Sequence, residues 1–283
     1  MNFKALKEHF ISEMAGYEEP QEALALFYMA VEHVTGMARG KLLLHQETAV
    51  NAEEFNACQE IIKQLKQRKP IQYILNEAHF YGLTFYVDPS VLIPRAETEE
   101  LVDWILEEVK PAINKGALLD IGTGSGCIAI SLKKQLEGWD VYAMDISATA
   151  LAVARQNADK NNVQVEFIEA DVLTYSGGQQ FTVIVSNPPY VKEDEKQAMH
   201  ANVLDNEPHS ALFVSNHDPL VFYKAIADLA LKNLERGGYL FFEINEYLGK
   251  ETIAMLRDKG FNNIVLRKDM QGKDRMICCR SSG

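Results

Sequence analysis

Apolar residues in the first quarter of the chain recur at intervals of three and four positions. Leu24, Phe27 and Val31 show this spacing, which is typical of the buried face of an α-helix. Asn51 stands directly before AEEF, and asparagine is a favoured residue at a helix start. Residues 2 to about 70 are therefore predicted to form a small all-α domain.

The pattern changes at residues 79–89, where aromatic and β-branched residues surround Gly82 in the run HFYGLTFYVDP. That composition predicts a β-hairpin. We expect this hairpin to join two domains. The predicted organisation is a helical domain over residues 1–73, a hairpin linker over 74–95 and a second domain over 96–283.

In the second domain, short apolar segments alternate with amphipathic ones. ALLDI, DVYAMD, VQVEFIEA, FTVIVS and YLFFEI are predicted strands, and stretches with helical periodicity separate most of them. This alternation is typical of an α/β fold with a doubly wound parallel sheet. The last two predicted strands, FNNIVLRKD and DRMICCR, lie too close together for a crossover helix and should form an antiparallel hairpin. The expected sheet has seven strands and is mostly parallel.

The composition of the 283-residue chain, with 47% hydrophobic residues, is that of a globular protein. No apolar run reaches the ~18 residues of a membrane span, and the start lacks the apolar core of a signal peptide. We therefore expect a cytoplasmic protein with no membrane partner. The four cysteines lack metal-ligand spacing, and we expect no metal.

The net charge of −12 repels a phosphate backbone and argues against direct binding of nucleic acid. The stretch KQLKQRKP, at residues 63–70, is the best candidate for a basic patch. We interpret it as the solvated end of a helix rather than as a nucleic-acid site.

Three glycines follow the first strand of the second domain, in the run LLDIGTGSGCIAI. Gly122, Gly124 and Gly126 permit a tight turn and let a ligand approach backbone N–H groups. Their G-x-G-x-G spacing differs from the G-x-G-x-x-G of dinucleotide sites. Because ligands of open α/β sheets bind at the carboxyl ends of strands, we predict a cofactor loop that includes Thr123 and Ser125. A purely structural turn is the alternative.

Two carboxylates end the next two predicted strands. Asp145 lies about 20 residues after the loop, where a carboxylate can accept hydrogen bonds from both hydroxyls of a ribose. The alternative role of Asp145 is a helix cap. Asp171 can meet an adenine amino group, with Val172 against the ring, or can be a simple loop residue. Ile146, next to Asp145, is a further candidate cofactor contact.

The loop and the two carboxylates resemble the cofactor site of class I S-adenosylmethionine-dependent methyltransferases. The terminal antiparallel hairpin also resembles that fold. The resemblance implies S-adenosyl-L-methionine as the cofactor and S-adenosyl-L-homocysteine as the product.

The strand FTVIVS is followed directly by Asn187, Pro188, Pro189 and Tyr190. The prolines stiffen the segment and carry no N–H, so it presents acceptors without competing donors. The Asn187 side-chain oxygen and the Pro188 carbonyl can each accept one N–H of a planar –NH2 group, and Tyr190 offers a flat face. This pattern predicts methyl transfer to an amide or nucleobase nitrogen. A rigid turn is the alternative.

The whole chain resembles the release-factor glutamine methyltransferases (the PrmC/HemK family). The similar segments are, in order, RKPIQYI, HFYGLTFYVDPSVLIPRAETEELV, DIGTGSGCIAI, SNPPYV, NEPHSALF and KDMQGKDRMICCR. The resemblance implies methylation of the side-chain nitrogen of the glutamine in the GGQ motif of class 1 peptide chain release factors. We also expect the helical domain to recognise the factor.

By position, the resemblance implies that Gly122 to Gly126 and Asp145 hold the cofactor, with Val172 beside the adenine. Asn187 to Tyr190 would hold the glutamine amide, with Asn187 also near the cofactor.

The chain departs from the family pattern at two positions. Ala96 replaces a usual proline, although the acidic residues after it still favour a helix start. Asn76 replaces a frequent glycine, and asparagine tolerates positive φ. Arg95 and Glu97 are predicted either to act near the cofactor or to cap that helix.

Three other functions stay open on the sequence alone. One is methylation of a glutamine in a ribosomal protein. Another is an amino-methyltransferase acting on nucleic acid, an activity that would require a basic groove. The third is a cofactor-binding scaffold without catalysis. The chain's own GGQ triplet, within SGGQQ at residues 176–180, is interpreted as a turn.

Overall fold

The structure is a computed structural model that describes residues 1–110, 113–199 and 201–281. The chain divides into two units. A helical unit comprises Met1–Glu77 together with a helix at Ala201–Asn206, and an α/β unit contains the remaining residues from Ala78 onwards.

The helices are α1 (Phe3–Met14), α2 (Pro20–Thr35), α3 (Arg39–Leu44), α4 (Ala52–Lys66), α5 (Ile71–Leu75), α6 (Ala96–Val109), α7 (Cys127–Gln135), α8 (Ala148–Lys160), α9 (Ala201–Asn206), α10 (His209–Leu212), α11 (Val221–Asn233) and α12 (Gly249–Asp258). A 3₁₀ helix covers Glu193–Ala198.

The strands are β1 (Ala78–Phe80), β2 (Leu83–Phe85), β3 (Ala117–Ile121), β4 (Asp140–Asp145), β5 (Glu166–Glu169), β6 (Phe181–Ser186), β7 (Val191–Lys192), β8 (Phe213–Val214), β9 (Leu234–Glu243), β10 (Asn262–Lys268) and β11 (Asp274–Arg280).

The helical unit packs the apolar faces of its helices into one core, with Leu6, Phe10 and Phe27 almost fully buried. Helix α4 begins with a capping box. The Asn51 side chain accepts the N–H of Glu54 at 2.8 Å, and the Glu54 carboxylate accepts the N–H of Asn51 at 2.9 Å. The predicted helical character of this region and the predicted start of α4 are confirmed.

Helix α5 belongs to the helical unit, and the hairpin β1–β2 follows it in the sequence. Asn76 ends α5 in the left-handed conformation, with φ of 52°. Strands β1 and β2 pair antiparallel across Tyr81 and Gly82, which confirms the predicted hairpin. The boundary that we expected after residue 73 falls inside α5, and the division between the two units lies between Glu77 and Ala78.

The α/β unit is built on a seven-stranded sheet in the order β10–β11–β9–β6–β3–β4–β5. Neighbouring strands are parallel from β9 to β5, whereas β11 runs antiparallel to both β9 and β10. This arrangement confirms the predicted fold, including the terminal antiparallel hairpin.

Strand β6 is buried along its whole length, and most residues of β3 and β9 are buried too. Side chains on both faces of the sheet are therefore covered. Side chains of neighbouring residues enter separate cores on the two faces, as Cys278 and Cys279 of β11 do. The four cysteines are free thiols. Helix α6 begins at Ala96, as predicted despite the missing proline.

The parallel strands end at one edge of the sheet. Ile121 of β3 pairs in register with Met144 of β4 and with Ser186 of β6, and Ser186 pairs with Phe242 of β9. The segments that follow these residues therefore emerge side by side. This edge carries the candidate site.

Across the described ranges, no helix combines the length and the apolar character needed to cross a bilayer. The same ranges contain no group of three or more His, Cys, Asp or Glu side chains arranged to hold a metal ion.

Candidate active site

The glycine loop joins β3 to α7 in a conformation that requires glycine. Gly122, Gly124 and Gly126 have φ of 73°, 54° and 82°, which L-residues with side chains rarely adopt. The N–H groups of Gly122 and Thr123 both donate to the Met144 carbonyl, at 2.8 and 3.0 Å. The loop is thereby tied to the end of the neighbouring strand.

The glycines differ in what surrounds them. A Cβ on Gly122 or Gly124 would meet no atom within 4 Å, so one side of the loop is open. A Cβ on Gly126 would lie 2.8 Å from Cδ1 of Ile130 and 3.2 Å from Cβ of Ala154. The loop thus presents an open face to a ligand while its last glycine packs against α7 and α8.

Asp145 links the loop to the start of α8. Its Oδ2 accepts the N–H of Gly124 at 2.9 Å, and its Oδ1 accepts the N–H of Ser147 at 2.9 Å. The cap of α8 is Ser147, whose Oγ accepts the N–H of Ala150 at 3.1 Å. Asp145 therefore orders the loop and does not cap the helix.

The other predicted cofactor contacts flank the same edge. Asp171 follows β5, and its Oδ1 accepts the N–H of Leu173 at 2.9 Å in a tight turn. Val172 is partly buried against the core on one face of the sheet. Ile146, directly after β4, is 65% exposed. Ile146 thus leaves an apolar side chain uncovered at the position directly after Asp145.

Asp120 is a buried carboxylate beneath the loop that sequence reasoning missed. Its Oδ2 accepts the Thr123 hydroxyl at 2.7 Å and the N–H of Ala129 at 3.3 Å, and its Oδ1 has no hydrogen-bond partner among the described residues. Burial raises the pKa of Asp120 to about 7, against the effect of these two hydrogen bonds. The charge of Asp145 adds to the rise in this pKa.

The NPPY segment leaves β6 next to the glycine loop. The Ser186 hydroxyl donates to the Ile121 carbonyl at 2.7 Å, which joins the ends of β6 and β3. Asn187 Nδ2 donates to the Thr98 hydroxyl at 3.3 Å. The Tyr190 carbonyl accepts from Asn245 Nδ2 at 3.1 Å, so both ends of the segment are anchored.

Glu243, at the end of β9, connects the NPPY segment to α6. Its Oε1 accepts the Tyr190 hydroxyl at 3.0 Å, and its Oε2 accepts the Thr98 hydroxyl at 2.6 Å. Glu243 is 1% exposed. Burial raises the pKa of its carboxyl, whereas the bonds from Thr98 and Tyr190 lower it. Burial and the charge of Glu243 also raise the pKa of Tyr190, so the phenol stays protonated and donates.

Arg95 and Glu207 form an ion pair at 2.6 Å, and Glu207 is almost fully buried. Arg95 occupies the N-cap of α6 with its backbone, but its side chain makes no capping hydrogen bond. Glu97 accepts a hydrogen bond from Gln271 Nε2 at 3.2 Å. The Arg95 side chain thus holds the NEPHSALF segment, a role that the sequence did not predict.

The chain matches two protein families, each over part of its length. The methyltransferase small domain family matches residues 98–213, and the PrmC N-terminal domain family matches residues 8–75. A release factor glutamine methyltransferase of Flavobacterium psychrophilum is 47% identical over 280 residues, which cover 98% of each chain. One of Bacteroides thetaiotaomicron is 45% identical over 260 residues, covering 91% of this chain and 92% of the relative.

Among solved structures, a methyltransferase of Pyrococcus furiosus is similar with a TM-score of 0.52 and 18% identity. The similarity covers 80% of this chain and 98% of that chain, and it concerns the fold. The sheet order and the glycine loop define a class I methyltransferase fold. The chain belongs to the release factor glutamine methyltransferase family, as the sequence predicted.

Proposed function

We propose that this chain methylates the side-chain amide nitrogen of the glutamine in the GGQ motif of class 1 peptide chain release factors. The observation that carries the proposal is the placement of NPPY and the glycine loop on adjacent strand ends, joined by the bond from Ser186 to Ile121. The relatives are named release factor glutamine methyltransferases, which supports a release factor glutamine as the substrate.

S-adenosyl-L-methionine is the proposed cofactor, and the residues present fit it. Gly122 and Gly124 leave open space above the loop, where backbone can approach a ligand closely. The Asp145 carboxylate offers acceptors for ribose hydroxyls, and Ile146 and Val172 offer apolar surface for a flat ring. Thr123, Ser125, Gly126 and Asp171 complete the proposed set. When bound, this cofactor supplies an electrophilic methyl group and leaves as S-adenosyl-L-homocysteine.

The NPPY segment is the proposed holder of the glutamine amide. Asn187 Oδ1 and the Pro188 carbonyl would each accept one N–H of the amide, which fixes the direction of the nitrogen lone pair. Pro189 keeps the segment stiff, and the Tyr190 ring would lie against the planar amide. Orientation of reactants can contribute roughly 7–11 kcal/mol to lowering a barrier.

The same acceptors would also stabilise charge. An amide nitrogen becomes positive as it forms a fourth bond, so oxygen acceptors on its two N–H groups interact more strongly in the transition state than before it. One N–H proton then leaves to water. No metal takes part in this proposal.

The proposed partner is a protein rather than nucleic acid. A net charge of −12 opposes a phosphate backbone and suits a basic protein surface. We further propose that the helical unit recognises the release factor away from the glutamine.

Methyl transfer from labelled S-adenosylmethionine tests the proposal. The acceptors are a purified class 1 release factor, its GGQ-to-GGA variant, ribosomal proteins and duplex DNA. We expect label on the factor that disappears in the GGA variant. Label on a ribosomal protein or on DNA, with none on the factor, would overturn the proposed substrate.

A further inference from the structure

A chain of hydrogen bonds leads from β9 to the Asn187 side chain. Glu243 accepts the Thr98 hydroxyl at 2.6 Å, and the Thr98 oxygen accepts from Asn187 Nδ2 at 3.3 Å. Thr98 is 3% exposed and lies in the first turn of α6. These three residues lie on separate elements, so the chain of bonds joins β9, α6 and the end of β6.

The direction of the hydrogen bond between Thr98 and Asn187 follows from the number of hydrogens that the Thr98 hydroxyl can donate. Both oxygens of the Glu243 carboxylate accept, one from Thr98 and one from Tyr190. A threonine hydroxyl has a single hydrogen, and the hydrogen of Thr98 is directed at the carboxylate. Towards Asn187, the Thr98 oxygen can therefore act only as an acceptor.

This constraint decides which end of the Asn187 amide faces Thr98. The two ends of an asparagine amide have nearly the same shape, and the hydrogen-bond network sets which one points where. Since Thr98 accepts, the NH2 group faces it and Oδ1 points to the other side. A reversed amide would present N–H groups to a substrate that itself offers N–H groups.

We infer that Glu243 and Thr98 are positioning residues that hold the Asn187 amide with Oδ1 directed at the substrate nitrogen. This inference rests on the proposed function and extends it to two residues outside the NPPY motif. The stiffness of Thr98 adds to the effect, because its β-branched side chain has few rotamers in a helix.

Replacing Thr98 by valine tests the inference with little change of shape. Thr98→Val removes the hydroxyl, so Asn187 loses the acceptor that orients it. We expect kcat on the whole release factor to fall on the order of 100-fold, the size of effect that misplaced reacting groups produce. The affinity for S-adenosylhomocysteine should change much less. Thr98→Ser keeps the hydroxyl and should recover most of the lost kcat.

Thr252→Val is the matched control, because Thr252 is also a buried threonine in a helix and its hydroxyl donates to the Leu248 carbonyl at 2.8 Å. We expect Thr252→Val and Thr98→Val to lower the melting temperature similarly, and only Thr98→Val to lower kcat. An equal loss of kcat in the two variants would contradict a specific role for Thr98.

A double-variant cycle separates positioning from general damage. If Thr98 acts through Asn187, Thr98→Val adds no further loss of rate to Asn187→Ala. The inference would be overturned if the rate losses of the two single variants multiplied in the double variant. It would also be overturned if Thr98→Val kept the kcat of the unsubstituted chain. Either result would leave the proposed function standing, provided that the unsubstituted chain methylates the GGQ glutamine. An unsubstituted chain that methylates no glutamine would overturn both.

Discussion

The Asp145 carboxylate accepts the backbone N–H of Gly124 at 2.9 Å, so a side chain at the end of β4 orders the loop that follows β3. The two residues stand 21 positions apart in the sequence. Their contact brings the proposed ribose-binding group and the proposed cofactor loop into one site, so a shift of either residue disturbs a hydrogen bond of the other.

Asp145→Asn should weaken cofactor binding. An asparagine that keeps its oxygen on Ser147 turns its NH2 group towards the N–H of Gly124, where two donors face each other. The loss of a hydrogen bond to a charged group costs about 1.5–3 kcal/mol, which corresponds to roughly 10- to 150-fold in affinity. Calorimetric titration with S-adenosylhomocysteine measures this change.

Asp140→Asn is the control for Asp145→Asn, because Asp140 begins the same strand and its side chain is exposed. We expect the affinity of the control to match that of the unsubstituted chain. If Asp145→Asn bound S-adenosylhomocysteine as tightly as the control, the proposed role of the Asp145 carboxylate would be contradicted.

Gly126→Ala should destabilise the α/β unit for two reasons. The residue has φ of 82°, and its new Cβ would lie 2.8 Å from Cδ1 of Ile130. Gly138→Ala provides a matched control, since Gly138 also has φ of 82° but has open space around it. Overpacking costs typically about 1–3 kcal/mol, so Gly126→Ala should lose that much more than Gly138→Ala. Urea unfolding compares the two, and equal losses would show that packing at Gly126 is unimportant.

Because of Asp120, the free energy of unfolding should fall as the pH rises. Burial raises its pKa from 3.8 to about 7. Between these values the folded chain holds a proton that the unfolded chain has released, so folding takes up a proton and the free energy of unfolding decreases with pH. In Asp120→Asn this contribution disappears, because the amide does not titrate, while its oxygen can still accept from Thr123.

Urea unfolding from about pH 4 to pH 7 tests the effect of Asp120. As the pH rises across that window, the unsubstituted chain should lose free energy of unfolding relative to Asp120→Asn. Two curves that run parallel would show that Asp120 has an ordinary pKa in the folded chain.

Much of the fold and the core of the site follow from sequence patterns, because those patterns are local. Alternating strands and helices predicted the sheet, and the close spacing of β10 and β11 predicted the antiparallel hairpin. The glycine loop, Asp145 and NPPY directly follow buried strands, and strand ends of a parallel sheet meet at one edge. Their adjacency therefore required no knowledge of individual contacts.

Contacts between distant residues were not predictable in this way. Thr98 and Glu243 are 145 positions apart, and nothing in the local sequence of Thr98 indicates its partner. Glu243 did carry a signal, since a carboxylate within the apolar run YLFFEI must find donors when buried. The pairing of Arg95 with Glu207 likewise depends on a fold that brings residues 112 positions apart together.

The helical unit should contribute to binding of the whole factor. Leu43 and Leu44 at the end of α3 are 45% and 84% exposed. Replacing both by serine should raise KM for the whole factor roughly tenfold, the effect of losing about 1.4 kcal/mol of binding. KM for a short GGQ peptide should stay unchanged.

Leu231→Ser serves as the control for the α3 substitutions, because Leu231 is 42% exposed on α11 of the α/β unit. We expect it to leave both KM values as they are. A whole-factor KM that does not respond to the substitutions at Leu43 and Leu44 would exclude this part of α3 from recognition.

The central claim is that Asn187 holds the amide whose nitrogen receives the methyl group. Single-turnover methyl transfer by Asn187→Ala, with cofactor and release factor both saturating, tests it most directly. We predict a rate about 10²- to 10³-fold below that of the unsubstituted chain, comparable to the loss of one transition-state hydrogen bond, with nearly unchanged affinity for S-adenosylhomocysteine. A rate within a few-fold of the unsubstituted chain would contradict the claim.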